Sequence, residues 1–240
     1  MNKRTLKILS YTFYTAAFLC IAAMCANALG ITDLGHGGKI AAGFIAVISG
    51  YAASYFTALC AAPKKRYSII KSTVIFIFVF YIIVLVDFTL IDDNLGRNIF
   101  NIYNWNTTAF SDYINRNTNI VPFATVRLFI NAVKTSALPL YAVLENLLGN
   151  LAAFMPLPFF LACLFKRFNN WYSVLITVLL SVITVELLQL LFLTGSSDID
   201  DVILNTAGAM LLYGVLRIKG VSRFISKITF GVWETENGKD

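Results

Sequence analysis

The sequence predicts an all-α protein: a polytopic membrane bundle of six transmembrane helices with both termini in the cytoplasm. Hydrophobic residues make up 58% of the chain and charged residues only 13%, whereas soluble domains carry about 25% charged residues. The mean hydropathy is +0.73. The apolar residues fall into runs of about 20, the length that crosses a bilayer core roughly 30 Å thick. The lipid bilayer of a cell membrane, crossed several times, is therefore the expected environment.

Six such runs divide the chain. We expect helices at Ile8–Leu29, Ile40–Ala62, Ile69–Ile91, Val143–Phe165, Trp171–Leu193 and Val202–Leu216. The first two runs form an N-terminal pair within residues 1–68. The other four form a domain over residues 69–217, with a long outer loop at 92–142. Residues 218–240 are expected to be a basic cytoplasmic tail.

The positions of the cations predict the orientation. Most of the 19 Lys and Arg flank the spans on one side, among them Lys3, Arg4, Lys7, Lys64, Lys65, Arg66, Lys71, Lys166 and Arg167. The opposite side holds Lys39, Arg97, Arg116, Arg127 and Lys134. Because cytoplasmic loops carry the excess of Lys and Arg, both termini are predicted to lie inside. Cations that flank spans in this way do not indicate binding of nucleic acid.

Several polar or reactive side chains are expected to have no chemical role. His36, the only histidine, lies in a Gly-rich turn without a neighbouring partner, so a solvated loop histidine is expected. Asp92 and Asp93 follow the third span, and we expect both to be solvated at the interface. The cysteines lie inside apolar runs without metal-ligand spacing and are expected to be free packing residues: Cys20, Cys25, Cys60 and Cys163. No cofactor is predicted.

The outer loop of about 50 residues is too long for a plain connector. Residues 123–134 place apolar side chains on one helical face, which predicts an interfacial or re-entrant helix. Two interpretations of its cations Arg127 and Lys134 stay open. They lie at the membrane surface without a ligand, or they meet an anionic headgroup or the carboxylates described next.

The fourth span begins with polar residues and is interrupted by proline. Asn146 and Asn150 are four residues apart and share a helix face. Each is either interhelical hydrogen-bonding glue or part of a ligand site. Gly149 beside them would allow another backbone to approach. Pro156 removes a backbone donor in mid-span and predicts a kink, as does Pro158.

The fifth span carries Glu186 at membrane depth, about 10 Å from its outer end at 1.5 Å per residue. Gln189 follows three residues later on the same face. An Asp at a helix centre costs about 2.5 to 3.5 kcal/mol, and a buried Glu must likewise pair, reach water or stay protonated. Glu186 is either a packing group bonded to the asparagines or a proton carrier or ligand group in an outward cavity.

The turn into the sixth span contains three acids within four residues, Asp198, Asp200 and Asp201. Helix capping explains one or two of them. It does not explain all three followed by Asn205 on the face of Asp201. Asp198 and Asp201 are weak candidates for holding a divalent cation through oxygen ligands. Gly208 continues the same face as a close-packing position.

These residues resemble the VanZ-like family of bacterial membrane proteins over about residues 69–217. The matching pieces are the NIVPF segment, the ENxxGN segment, Glu186 with Gln189, and the DIDDVILNTAG segment from Asp198. Many members carry Arg just before the acidic turn, where this chain has Gly195-Ser196-Ser197, so Arg127 would have to replace it. The family is named for an accessory gene linked to teicoplanin resistance in Gram-positive bacteria. The resemblance implies a role in the cell envelope, in handling a glycopeptide or a lipid-linked wall precursor.

Three functions remain open. The first is an antibiotic-resistance protein whose outward site binds such a molecule through Asn146, Asn150, Glu186, Gln189, Asp198, Asp200, Asp201, Asn205 and Arg127. The second is a metal-assisted membrane hydrolase or transferase, with Glu186 and Asp201 as candidate catalytic residues. The third is a transporter that uses Glu186 as a proton site. The absence of an evident inverted repeat argues mildly against it.

Overall fold

The computed structural model describes residues 2–92 and 97–233, apart from the side chain of His36. Its helices are α1 (Lys3–Ala28), α2 (Gly35–Cys60), α3 (Pro63–Val86), α4 (Thr107–Asn117), α5 (Ala124–Lys134), α6 (Leu140–Ala153), α7 (Leu157–Leu164), α8 (Trp171–Leu191), α9 (Ile199–Arg217) and α10 (Lys219–Ile228). A π-helical turn covers Asp87–Ile91, and 3₁₀ turns cover Ile99–Asn104 and Lys166–Asn169. Two short strands, β1 (Thr118–Asn119) and β2 (Ser197–Asp198), complete the elements of the described residues.

In the described part of the chain, six helical segments are long and apolar enough to cross a membrane, which confirms the predicted all-α class and the number of spans. The fourth runs over Leu140–Leu164 and contains α6 and α7. The break between them falls at Phe154–Pro156, where the predicted proline kink becomes a change of helix. Many large apolar side chains of these helices are exposed, as lipid-facing surfaces require.

The chain forms two compact units. The first contains residues up to 84 together with residues from 222 onward. In it, the Ser10 hydroxyl of α1 donates to the Ala53 carbonyl of α2 at 3.1 Å. Trp233 is buried, and its indole N–H donates to the Ser222 hydroxyl at 2.8 Å. Residues that the sequence assigned to a separate tail are thus packed in this unit.

The second unit contains residues 85–221. Its central helix α9 packs against α6, α7 and α8. The backbones of α9 and α6 approach closely at Gly208, where a Cβ atom would lie well under 3.0 Å from the Leu151 carbonyl oxygen. Gly208 is therefore the close-packing position that the sequence predicted. Gly149, which was expected to admit a neighbouring backbone, has nothing within 4 Å of its Cβ position, so that expectation is wrong.

The end of α3 also differs from expectation. Asp92 was expected to be solvated, but its side chain is 1% exposed. The Asp92 carbonyl accepts a hydrogen bond from the Arg97 N–H at 3.1 Å. Asp93 lies outside the described residues. His36 belongs by its backbone to the first turn of α2, not to a loop.

Candidate functional site

The outer loop is fastened to the acidic turn by a parallel pair of strands. Thr118 of β1 lies opposite Ser197 of β2, and Asn119 lies opposite Asp198. The Asp198 carboxylate accepts hydrogen bonds from the Asn119 amide at 3.0 Å and from the Thr125 hydroxyl. Both oxygens of this acid therefore hold the loop in place.

Asp198 and Asp200 also cap two helices. Asp198 is the N-cap of α9 and accepts from the Asp200 N–H at 2.9 Å. Asp200 is 2% exposed, and its carboxylate accepts from the backbone N–H groups of Phe123 and Val126 at the start of α5. Phe123 adopts a left-handed conformation with φ of 62° to make this turn. A carboxylate at a helix N-terminus is favourable because it meets unpaired N–H groups and the positive end of the helix dipole. Helix capping and attachment of the outer loop thus explain the presence of Asp198 and Asp200.

The carboxylates of Glu186 and Asp201 accept fewer hydrogen bonds than those of Asp198 and Asp200. Glu186 accepts one hydrogen bond, from the Asp198 N–H to Oε2 at 3.1 Å. Asp201 accepts from the Asn150 amide at Oδ1. The second oxygen of each carboxylate makes no hydrogen bond within the described ranges. Each of these two acids therefore has an oxygen atom that can accept a further hydrogen bond.

Two neighbouring amides are also incompletely bonded. The Asn205 amide donates to the Asp201 carbonyl at 2.8 Å, and the Gln189 amide donates to the Thr89 carbonyl at 3.0 Å. Asn205 and Gln189 are 5% and 4% exposed, yet neither amide oxygen has a partner among the residues described. Buried polar atoms usually have a partner, so these two amide oxygens need an explanation.

Arg97 completes the arrangement, and the sequence did not single it out. Its segment is anchored to the turn before β2, where the Asn98 N–H donates to the Thr194 hydroxyl at 2.7 Å and the Asn101 amide donates to the Leu193 carbonyl at 3.0 Å. The guanidinium group lies over Gly195. We call Arg97, Asn150, Glu186, Asp201 and Asn205 the polar cluster.

The charge of Arg97 acts on Glu186, Asp201 and Tyr113. The Tyr113 hydroxyl donates to the Gly195 carbonyl. Burial raises the pKa of Tyr113, and the positive charge of Arg97 offsets part of that rise. The phenol therefore stays protonated at neutral pH and can act as this donor. The resulting arrangement holds one cation beside two carboxylates.

Two predicted site residues lie apart from the polar cluster. Asn146 and Arg127 are exposed, and the side chain of neither makes a hydrogen bond with any residue that the structure describes. The role expected of Arg127 stays a prediction, and the guanidinium group that the structure places over Gly195 is that of Arg97. No local pattern distinguishes Arg97 from Arg116 in the outer loop, so only the long-range contact with residues 193–195 reveals it.

The predicted cation ligands do not form a ready metal site. Over residues 2–92 and 97–233, no group of three or more His, Cys, Asp or Glu side chains is arranged to hold a metal ion. Asp198 already accepts hydrogen bonds on both oxygens. A divalent ion at Asp198 and Asp201 would therefore share Asp198 oxygens that already accept hydrogen bonds from the outer loop.

Comparison with known proteins adds one finding. The family model described as VanZ/LLP1 matches residues 78–220, well over half of the chain, and every member of the polar cluster lies within the match. No curated protein and no solved structure matches the chain significantly.

Proposed function

The chain belongs to the VanZ/LLP1 family, and from that premise we propose that it is a protein of the bacterial cell membrane whose polar cluster faces outward. The cluster binds a glycopeptide or a lipid-linked wall precursor and so contributes to teicoplanin-type resistance. The six apolar helices support the membrane placement. The family resemblance supports the envelope role.

One observation carries the proposal: the incomplete bonding of Glu186 and Asp201. A carboxylate inside a membrane is costly, about 2.5 to 3.5 kcal/mol for an Asp at a helix centre on insertion scales, so it needs partners. Capping and loop attachment account for Asp198 and Asp200, but each acid of this pair offers an unused oxygen next to a guanidinium group. A bound molecule that donates hydrogen bonds would satisfy these oxygens.

Teicoplanin susceptibility tests this proposal. A sensitive Gram-positive host would express the wild type, Glu186→Gln or Asp201→Asn, with membrane abundance matched by immunoblot. We expect the wild type to protect and both variants to lose protection, because each substitution exchanges an acceptor oxygen for a donor amide.

Asp112→Asn is the matched control. It removes one carboxylate from the exposed surface of α4 without touching the polar cluster, so protection should persist. Equal protection by all four proteins would mean that the polar cluster only packs helices. Absence of protection by the wild type would remove teicoplanin from the proposal.

The open oxygens of Glu186 and Asp201 also favour a second function, a membrane hydrolase or transferase. Glu186 would act as general acid or base on an outer-leaflet lipid or wall precursor. Turnover of such a substrate by the purified wild type, lost in Glu186→Gln, would support the enzyme. Sensitivity of that turnover to a chelator would distinguish the metal-assisted version.

A further inference from the structure

The positive charge of Arg97 lies in an unusual environment. Its Nε and Nη1 atoms are closed off from solvent, and neither donates a hydrogen bond to any residue within 2–92 or 97–233. Leaving buried donors of a charged group unpaired costs more than leaving those of a neutral group unpaired. A guanidinium group has five N–H donors in a rigid fork suited to carboxylate and phosphate oxygens. The unused donors therefore indicate an anionic acceptor.

The glycine opposite Arg97 provides the space that the guanidinium group occupies. Gly195 has a φ of +69°, and a Cβ atom there would overlap the guanidinium group of Arg97. The first property favours glycine because side chains are rarely tolerated in this backbone region. The second shows that the guanidinium group can lie where it does only because Gly195 has no side chain.

The groups around Arg97 disfavour binding of a simple anion at its guanidinium group. Glu186 and Asp201 lie within electrostatic range of Arg97, and each has one oxygen without a hydrogen bond in the described part of the chain. Two carboxylates would repel a bare phosphate ion. They would accept hydrogen bonds from hydroxyl or amide N–H groups, as the buried Asn205 amide oxygen also would.

We propose that the polar cluster recognises an anionic group with sugar hydroxyls next to it. Arg97 binds the anionic oxygens, and Glu186 and Asp201 accept hydrogen bonds from the hydroxyls. This inference rests on the proposed binding function and specifies the class of ligand. A lipid-linked sugar phosphate and a glycopeptide carboxylate both have this chemistry.

Binding of synthetic probes to the full-length protein in lipid nanodiscs tests the inference. The probes are dodecyl glucosyl phosphate, neutral dodecyl glucoside, dodecyl phosphate, and teicoplanin as the glycopeptide. We expect the wild type to bind the glucosyl phosphate at least tenfold more tightly than the glucoside or the simple phosphate. If teicoplanin alone binds and Arg97→Gln weakens it at least tenfold, the source of the anion is the glycopeptide.

Two substitutions connect the result to the geometry. Arg97→Gln should abolish the tenfold preference, and Gly195→Ala should reduce it by displacing the guanidinium group. Arg116→Gln removes an exposed cation of the same outer loop and should leave the preference intact. Thermal unfolding and size-exclusion profiles would identify any variant that fails to fold, and Arg97→Lys would then replace Arg97→Gln, with an expected partial loss.

The outcomes separate this inference from the function on which it rests. Unchanged binding in Arg97→Gln, with binding lost in Glu186→Gln and Asp201→Asn, would overturn the anionic ligand and leave a binding site. Unchanged binding in all three variants would overturn both. Failure of every probe to bind the wild type would also overturn the ligand class.

Discussion

At the scale of single residues, the acids of the sixth span divide into two roles. Asp200 is buried and bonded to two backbone N–H groups at the start of α5, whereas Asp201 bonds Asn150 and retains an open oxygen. The sequence indicated that capping could not explain all of the acids, but not which of them it explained. The helix that Asp200 caps begins about 75 residues earlier in the chain, and local spacing carries no record of that contact.

Asp200→Asn should loosen α5 without removing the polar cluster. The substitution replaces a charged acceptor by an amide that can satisfy at most one of the two N–H groups, and hydrogen bonds to charged groups contribute about 1.5 to 3 kcal/mol each. Limited trypsin digestion of the purified protein measures the effect, because Arg127 and Lys134 lie within α5. We expect faster cleavage there than in the wild type or in Asp112→Asn. Cleavage at the wild-type rate would show that Asp200 does not hold this helix.

At the scale of elements, apolar run length predicted the spans, and the proline pair predicted the interruption of the fourth. These features are local, since helix propensity and the missing proline N–H act within a few residues. The crossing of α6 and α9 is not local. The sequence placed glycines at Gly149 and Gly208 beside the polar positions, and only the packing shows that Gly208 alone meets a neighbouring backbone.

These two glycines form a matched pair of substitutions. Gly208→Ala would force a methyl group against the Leu151 carbonyl, and overpacking of this kind costs about 1 to 3 kcal/mol. Gly149→Ala meets nothing within 4 Å and should be neutral or slightly stabilising, because alanine favours a helix. Thermal unfolding in detergent should therefore show a lower Tm for Gly208→Ala only. Equal behaviour of the two variants would contradict the close approach of α6 and α9.

At the scale of the whole molecule, the sequence predicted the membrane class and most groups of the polar cluster. Charge and amide side chains are costly in lipid, so Glu186, Asp201, Asn150 and Asn205 could be recognised without a structure. Arg97 could not, because an arginine in a long outer loop is ordinary until residues nearly 100 positions later are seen beneath it. Residues 222–233 likewise join the first unit through tertiary contacts that no local pattern predicts.

The proposed function requires a polar cluster that is open to the cell exterior. The orientation predicted from the cations would provide this. Cysteine labelling tests it after the native Cys20, Cys25, Cys60 and Cys163 are replaced by alanine. Asn146→Cys reports from one turn before Asn150, and Arg223→Cys reports from α10; both positions are exposed. A membrane-impermeant maleimide should label Asn146→Cys in intact cells and Arg223→Cys only after permeabilisation. The reverse pattern would place the polar cluster at the cytoplasmic face and contradict an outward-facing site for wall precursors or glycopeptides.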